Sequence, residues 1–400
     1  MGFLSQRARE LGTENAFVVL GEVGKLQEQG KDIVSFCIGQ PDFVTPGHIR
    51  LAGIRAITEG HTGYTPSPGI PELRAAVAAT FTRTRGVQVD PEDVVIGCGG
   101  KPFIAYTILS VTDYGAGHEV IYPNPGFPIY DSQIAASGAV PRPIDLREAK
   151  GFNFDLDELR KKVNDKTRLL ILNSPHNPTG STLSREELEG IADIVRRYDD
   201  LWIYSDEVYS GLVYDGEFQS IAAVEGMQAR TVIADTSSKT YAMTGWRIGY
   251  AANKELAPVF TRWVTNTDSC PPNPNQHAVV EAHVAPQTEA ERMRDVFHKR
   301  RDHIVKGLNE LPGVSCQTPG GAFYVWPNVT ETCAIVGVRN SEELRKKLLY
   351  DAGVAVLADV HFGKQVEGDG QHVRFSYASS FEDIDEGLNR INDFIEKNRK

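Results

Sequence analysis

Six short apolar runs, five of them closed by glycine or polar residues, constrain this 400-residue chain more than any other feature. They cover residues 94–96, 119–122, 168–172, 201–204, 231–234 and 247–251, with amphipathic stretches between them. Strand-length apolar runs alternating with helical patterns predict an α/β domain with a mostly parallel sheet flanked by helices. The residues that follow the runs are equally informative. Gly99-Gly100 follows the first, Asn124-Pro125-Gly126-Phe127 the second and Asn173-Ser174-Pro175-His176-Asn177 the third. Asp206 follows the fourth and Ser237-Ser238-Lys239 the fifth. Open α/β sheets bind ligands beyond the carboxyl ends of their strands, so these polar endings predict one site along one sheet edge.

Within that edge, the segment from Thr236 to Tyr250 holds a single lysine, Lys239, and an arginine, Arg247. Burial at a strand end disfavours the charged ammonium and leaves a free amine able to form a Schiff base. Nearby hydroxyls and a guanidinium suit a bound phosphate, because arginine presents a planar fork of donors. An amine nucleophile beside a phosphate site points to pyridoxal 5'-phosphate. Taken alone, Lys239 also reads as a surface lysine in a Ser/Thr loop, and the other strand endings weigh against that reading.

Composition narrows the class. Hydrophobic residues make up 41% and charged residues 24%, ordinary values for a soluble globular protein. A net charge of −11 argues against nucleic acid as the main partner. The basic run 298–301 lies in a helical pattern and reads as its solvated face. The first residues lack an apolar core of signal-peptide type, and no stretch has the length and apolarity of a membrane span. Five scattered cysteines form no CxxC pair, which suits reduced thiols in a cytoplasmic protein and no metal site. The Pro-rich break at 270–274 divides the chain: an N-terminal arm and small-lobe segment (1–45), a large cofactor-binding domain (46–280) and a small C-terminal domain (281–400). Two strands are expected in the small lobe, at 320–326 and 374–377.

With these segments in place, the chain resembles the class I/II aminotransferases, the aspartate aminotransferase family of fold-type I pyridoxal phosphate enzymes. The resemblance runs from Gly39-Gln40-Pro41-Asp42-Phe43 to Arg374-Phe375-Ser376-Tyr377. Its most specific parts are Asn173 to Gly180, Ser205-Asp206-Glu207-Val208-Tyr209, and Ser238-Lys239-Thr240 leading to Gly245-Trp246-Arg247-Ile248-Gly249. It implies that Lys239 is the Schiff-base lysine and proton shuttle, and that Asp206 pairs with the protonated ring nitrogen. Asn177 and Tyr209 would bond the ring's phenolic oxygen, and Phe127 would stack on the ring. Thr236, Ser238, Arg247 and the Gly99-Gly100-Lys101 turn would bind the phosphate, the turn through N–H groups at a helix start. Arg374 would clamp the substrate α-carboxylate, Gly39 would lie over the substrate, and Tyr64 would reach the phosphate of a second subunit in a homodimer.

Each residue has a plainer reading: a helix N-cap for Asp206, an Asn-Pro turn for Asn177, core packing for Tyr209 and Phe127, a surface ion pair for Arg374 and a loop aromatic for Tyr64. Gly99-Gly100 also reads as a simple strand-to-helix turn. Pro102 lacks an N–H where relatives often have one, and Gly126 leaves the side of the pocket next to Phe127 more open. Lys101 has two readings, as the partner of a dicarboxylate substrate's distal carboxylate or as added charge near the phosphate. The implied reaction moves an amino group between an L-amino acid and a 2-oxo acid, with glutamate or aspartate and 2-oxoglutarate as one half-pair. A C–S lyase or decarboxylase on the same fold is the enzymatic alternative. A ligand-sensing regulator would need a DNA-binding module, for which the forty-odd residues before the core leave no room.

Overall fold

The structure, a computed structural model, describes residues 2–399; Met1 and Lys400, the outermost residues of the two expected small-lobe segments, lie outside it. Among the described residues there are twelve strands: β1 (Val34–Ser35), β2 (Val94–Gly97), β3 (Glu119–Asn124), β4 (Val140–Asp145), β5 (Thr167–Asn173), β6 (Trp202–Asp206), β7 (Thr231–Thr236), β8 (Gly249–Ala252), β9 (Tyr324–Val325), β10 (Val354–Ala355), β11 (Leu357–Ala358) and β12 (Val373–Ser376). The helices that shape the site are α1 (Gln6–Glu10), α2 (Asn15–Glu28), α3 (Gly47–Thr58), α4 (Pro71–Arg85), α5 (Lys101–Val111) and α6 (Ile129–Ser137).

Seven strands form the central sheet in the order β2-β8-β7-β6-β5-β3-β4. The β3–β4, β3–β5, β5–β6 and β6–β7 pairs are parallel, and β8 runs antiparallel to both β2 and β7. Every residue of β2, β7 and β8 is buried. A sheet covered by helices on both faces needs apolar side chains on both, which is why these strands read as continuous apolar runs. The fold is α/β with a mostly parallel sheet, as the apolar runs require.

Beside it lies a smaller assembly. β1 pairs in parallel with β10, and β11-β12-β9 form an antiparallel three-stranded sheet. Long helices at Thr288–Glu310 and Phe381–Asn398 cover them, the second started by Ser380, whose side chain accepts from the Asp383 N–H.

Some expectations need correction. β4 carries Pro141 and Pro143 and sits at the sheet edge, the place where proline's missing donor is tolerated, so its sequence does not look like a strand. Arg247 precedes β8 instead of opening it and takes a left-handed conformation, φ 55. In 320–326 only Tyr324–Val325 pairs as strand, and residues 322–326 are all buried, so no face alternates with solvent. The basic run 298–301 is only in part a solvated face: Lys299 is exposed and His298 half-buried. Arg300 and Arg301 are buried; Arg300 forms a bidentate pair with Asp42 at 2.7 and 2.8 Å, and Arg301 pairs with Asp215 and Asp302.

At the end of α4, Arg85 is buried beneath the central sheet's carboxyl edge. Its Nε donates to Glu207 Oε2 at 2.9 Å and its Nη2 to Asp235 Oδ2 at 2.5 Å and Ser210 Oγ at 2.7 Å. Removing one partner of a buried ion cluster strands the remaining charges in low dielectric. Arg85→Ala is therefore expected to cost about 3–5 kcal/mol of unfolding free energy. Urea denaturation followed by circular dichroism measures it; a loss below about 1 kcal/mol, the worth of an exposed pair, would contradict the reading.

Candidate active site

The carboxyl ends of β2, β3, β5, β6 and β7 open into one cavity of about 650 Å³. Gly39, Gly100, Lys101, Phe127, Asn177, Asp206, Tyr209, Thr236, Ser238, Lys239, Arg247 and Arg374 all line it. Gly99 and Tyr64 do not. Gly99 stands just behind: its φ is +93, and a Cβ there would fall 2.2 Å from Arg247 Nη2. Only glycine leaves the guanidinium its place. Tyr64 is 90% exposed on the outer surface.

Asp206 ends β6, buried, with no helix behind it to cap; residues 208–211 form a turn. Its Oδ2 accepts from the Tyr130 hydroxyl at 2.6 Å, while Oδ1 is buried and has no partner. Burial raises its carboxyl pKa to about 6, against the Tyr130 hydrogen bond and that of the Val208 N–H. Such an open acceptor in low dielectric calls for a cationic or N–H partner.

Lys239 sits in the short helix Ser237–Thr240 that β7 runs into. The Thr236 side chain caps that helix, accepting from Ser238 N at 3.2 Å, and its Oγ1 lies 2.9 Å from Ser238 Oγ. Lys239 Nζ donates to the Gly39 carbonyl at 2.6 Å. Burial lowers its pKa to about 8; Glu14 opposes that shift, and Arg374, Lys101 and Arg247 add to it.

Arg374 lies in β12, buried, and forms no ion pair with a carboxylate among the described residues. Its Nη1 donates to Asn177 Oδ1 at 2.9 Å and its Nη2 to the Cys37 carbonyl at 2.5 Å, and its Nε has no partner. The Tyr209 and Tyr324 hydroxyls meet at 2.7 Å, and burial raises both phenol pKa values, keeping them protonated. Asn177 is set by its own N–H, which donates to Asn173 Oδ1 at 2.9 Å, while Asn173 Nδ2 donates to the Asp206 carbonyl at 3.0 Å. Tyr130, Tyr324, Asn173 and Glu14 were not singled out from sequence. For Asn173 the signal was present, in the same polar ending as Asn177; the others depend on tertiary packing.

Residues 31–391 match the family described as aminotransferase class I and II. An aspartate aminotransferase of Bacillus sp. (strain YM-2) is 35% identical over 98% of this chain and 99% of its own. An asparagine–oxo-acid transaminase of Streptococcus mutans is 35% identical with the same coverage. The structure of Thermus thermophilus aspartate aminotransferase with maleate superposes with a TM-score of 0.91 and 33% identity, over 98% of this chain and 100% of that one. The chain belongs to the class I and II aminotransferases. It is a pyridoxal phosphate-dependent transferase of amino groups acting on amino acids and 2-oxo acids, and the lyase or decarboxylase alternative is not favoured. Among the described residues no helix is long and apolar enough to cross a membrane.

The donor set fits the cofactor of that family. Asp206 Oδ1, an orphaned acceptor, would suit a protonated ring nitrogen; Lys239 is a low-pKa amine, and Arg247, Ser238 and Thr236 present a guanidinium and two hydroxyls to the same cavity, where a phosphate would fit. Because only the free amine attacks an aldehyde, the rate at which cofactor-free protein takes up pyridoxal phosphate covalently should rise with pH and level off above about 8, the Lys239 pKa. Stopped-flow absorbance measures it. A midpoint near the ordinary lysine value of about 10.4 would show that burial does not activate this amine.

Proposed function

We propose that this aminotransferase works as a cytoplasmic homodimer in which glutamate or aspartate, with 2-oxoglutarate, forms one half of the substrate pair. The observation that carries the substrate class is the placement of two cations on different lobes of one cavity, Arg374 from β12 and Lys101 at the head of α5. One carboxylate can meet each. The maleate bound by the Thermus thermophilus relative is a dicarboxylate, which supports the same class.

When bound, pyridoxal phosphate supplies the electron sink for breaking the substrate's Cα–H bond. In this reading Lys239 holds the cofactor covalently and, once displaced, carries the proton at the substrate α-carbon. Asp206 keeps the ring nitrogen protonated, oriented by Tyr130. Tyr209 and Asn177 donate to the phenolic oxygen, and Phe127 covers a ring face. Thr236, Ser238, Arg247 and the Gly99-Gly100 turn hold the phosphate. Arg374 takes the α-carboxylate through its free Nε, and the Gly39 peptide closes over the substrate.

The division into a large lobe at 46–280 and a small one from 1–45 and 281–400 is supported by the β1–β10 pairing, which joins the chain's two ends. Five free thiols suit a reducing compartment. The dimer is supported by α3, whose Leu51, Ile54 and Ile57, spaced three residues apart along the helix, are all exposed. An exposed apolar stripe on a helix is a feature of interaction sites.

Two measurements test this reading. Lys101→Ala should lower kcat/KM for 2-oxoglutarate about tenfold, the effect of losing a charged hydrogen bond of about 1.5 kcal/mol, while sparing pyruvate; equal losses for both acceptors would favour a role at the phosphate. Mixing Tyr64→Phe with Lys239→Ala chains should form hybrid dimers that carry one intact site and are more active per site than the doubly substituted protein. A fully active monomer in sedimentation would remove the shared site.

A further inference from the structure

Lys101 already has a carboxylate. Glu14 Oε2 lies 2.5 Å from its Nζ, and both side chains line the cavity. The pair joins the N-terminal segment to the head of α5, 87 positions away in the chain. Glu14 occupies the N-cap position of α2, where a carboxylate ordinarily accepts a helix N–H. It makes no such bond. The side chain is turned instead into the site, close enough to Lys239 for its charge to oppose the effect of burial on that amine.

Two aromatic rings flank the pair. Lys101 Nζ lies 5.7 Å from the centre of the Phe17 ring and 5.4 Å from that of Phe127. Ile38 and Ile104 line the same cavity. With Glu14 in place the cation is neutralised, and this end of the cavity offers aromatic and aliphatic surface to a side chain. With Glu14 withdrawn, the same end offers an ammonium. The two arrangements suit different substrates.

We propose that Glu14 is a specificity-determining residue, whose carboxylate holds the place on Lys101 that a substrate's distal carboxylate must take. Amino acids with uncharged side chains bind with the Glu14–Lys101 pair intact, against Phe17, Ile104 and Phe127. Dicarboxylates bind by displacing Glu14 and the start of α2 with it. A ligand shifts such an equilibrium only by its difference in affinity for the two arrangements, so dicarboxylate affinity is reduced by the work of breaking the pair. An ammonium on a flexible stem can exchange one carboxylate for the other without a change in its own backbone. A transaminase whose two half-reactions use unlike side chains needs this kind of exchange. The proposal rests on the reading of Lys101 as the distal-carboxylate group.

The test uses holoenzyme and two unreactive probes, glutarate and 4-methylpentanoate, with inhibition constants measured for the parent, Glu14→Gln, Glu14→Ser and Lys101→Ala. Glu14→Gln should tighten glutarate relative to 4-methylpentanoate by roughly fivefold, the upper range for a half-exposed ion pair. Glu14→Ser should do the same, and because serine is a good N-cap it keeps α2 formed if glutamine does not. In the Lys101→Ala background the substitution at Glu14 should no longer shift the ratio. If both Glu14 variants weaken both probes equally, Glu14 is a clip for α2 and the proposal is overturned. Unchanged ratios in the Glu14 variants, with Lys101→Ala still losing glutarate selectively, overturn it while leaving Lys101 in its role. If Lys101→Ala loses no selectivity, the reading of Lys101 fails first.

Discussion

The site depends on a buried ion cluster one residue behind it. Glu207 follows Asp206, and Asp235 precedes Thr236, so the residues that anchor β6 and β7 are chain neighbours of those that face the cavity. Arg85 joins both carboxylates to the end of α4. Ser205 and Ser220 donate to Glu207 Oε1 at 2.8 and 2.6 Å, and Asp235 Oδ1 accepts from the Thr236 N–H at 2.6 Å. Burying three charges is costly, and it is tolerated here because nearly every lone pair and proton finds a partner. The return is geometric: the two strand ends cannot slide against each other without exposing that cluster to mismatch.

The cavity is assembled between the edge of the seven-stranded sheet and the segments packed beside it. Lys239 reaches the Gly39 carbonyl, Asn177 receives Arg374, and Tyr209 meets Tyr324. Each of these pairs joins the large-sheet edge to a segment from one of the chain's ends. Gly39 shows how tight the join is, since a Cβ there would lie 2.0 Å from the Tyr324 hydroxyl oxygen. Any shift of these segments against the sheet edge would therefore act on the amine, the amide and the phenol together.

Much of this was legible in the sequence. Strands β2, β3, β5, β6, β7 and most of β8 announced themselves because burial on both faces leaves no room for polar residues, and the polar ends marked the cavity's rim. Strand β4 was hidden by its two prolines, which only an edge position accommodates. Arg300 and Arg301 looked like surface because local pattern carries no information about Asp42 and Asp215, distant in sequence. Tyr130 and Tyr324 gave no signal for the same reason: an aromatic that hydrogen-bonds in the site and one that only packs have the same local periodicity. Glu14 was the hardest to foresee, since it stands where a helix cap would be unremarkable.

The contact between Gly99 and Arg247 sets a limit on how this pocket can change. Any side chain at position 99 would have to evict the guanidinium that its empty space now admits, and Arg247 itself is held in a left-handed conformation that few residues adopt. The two positions form one heritable unit. Change in this pocket is thereby steered away from the Gly99–Arg247 end and towards the rim around Phe17, Lys101 and Phe127, where the constraint is the Glu14–Lys101 ion pair and not a steric lock.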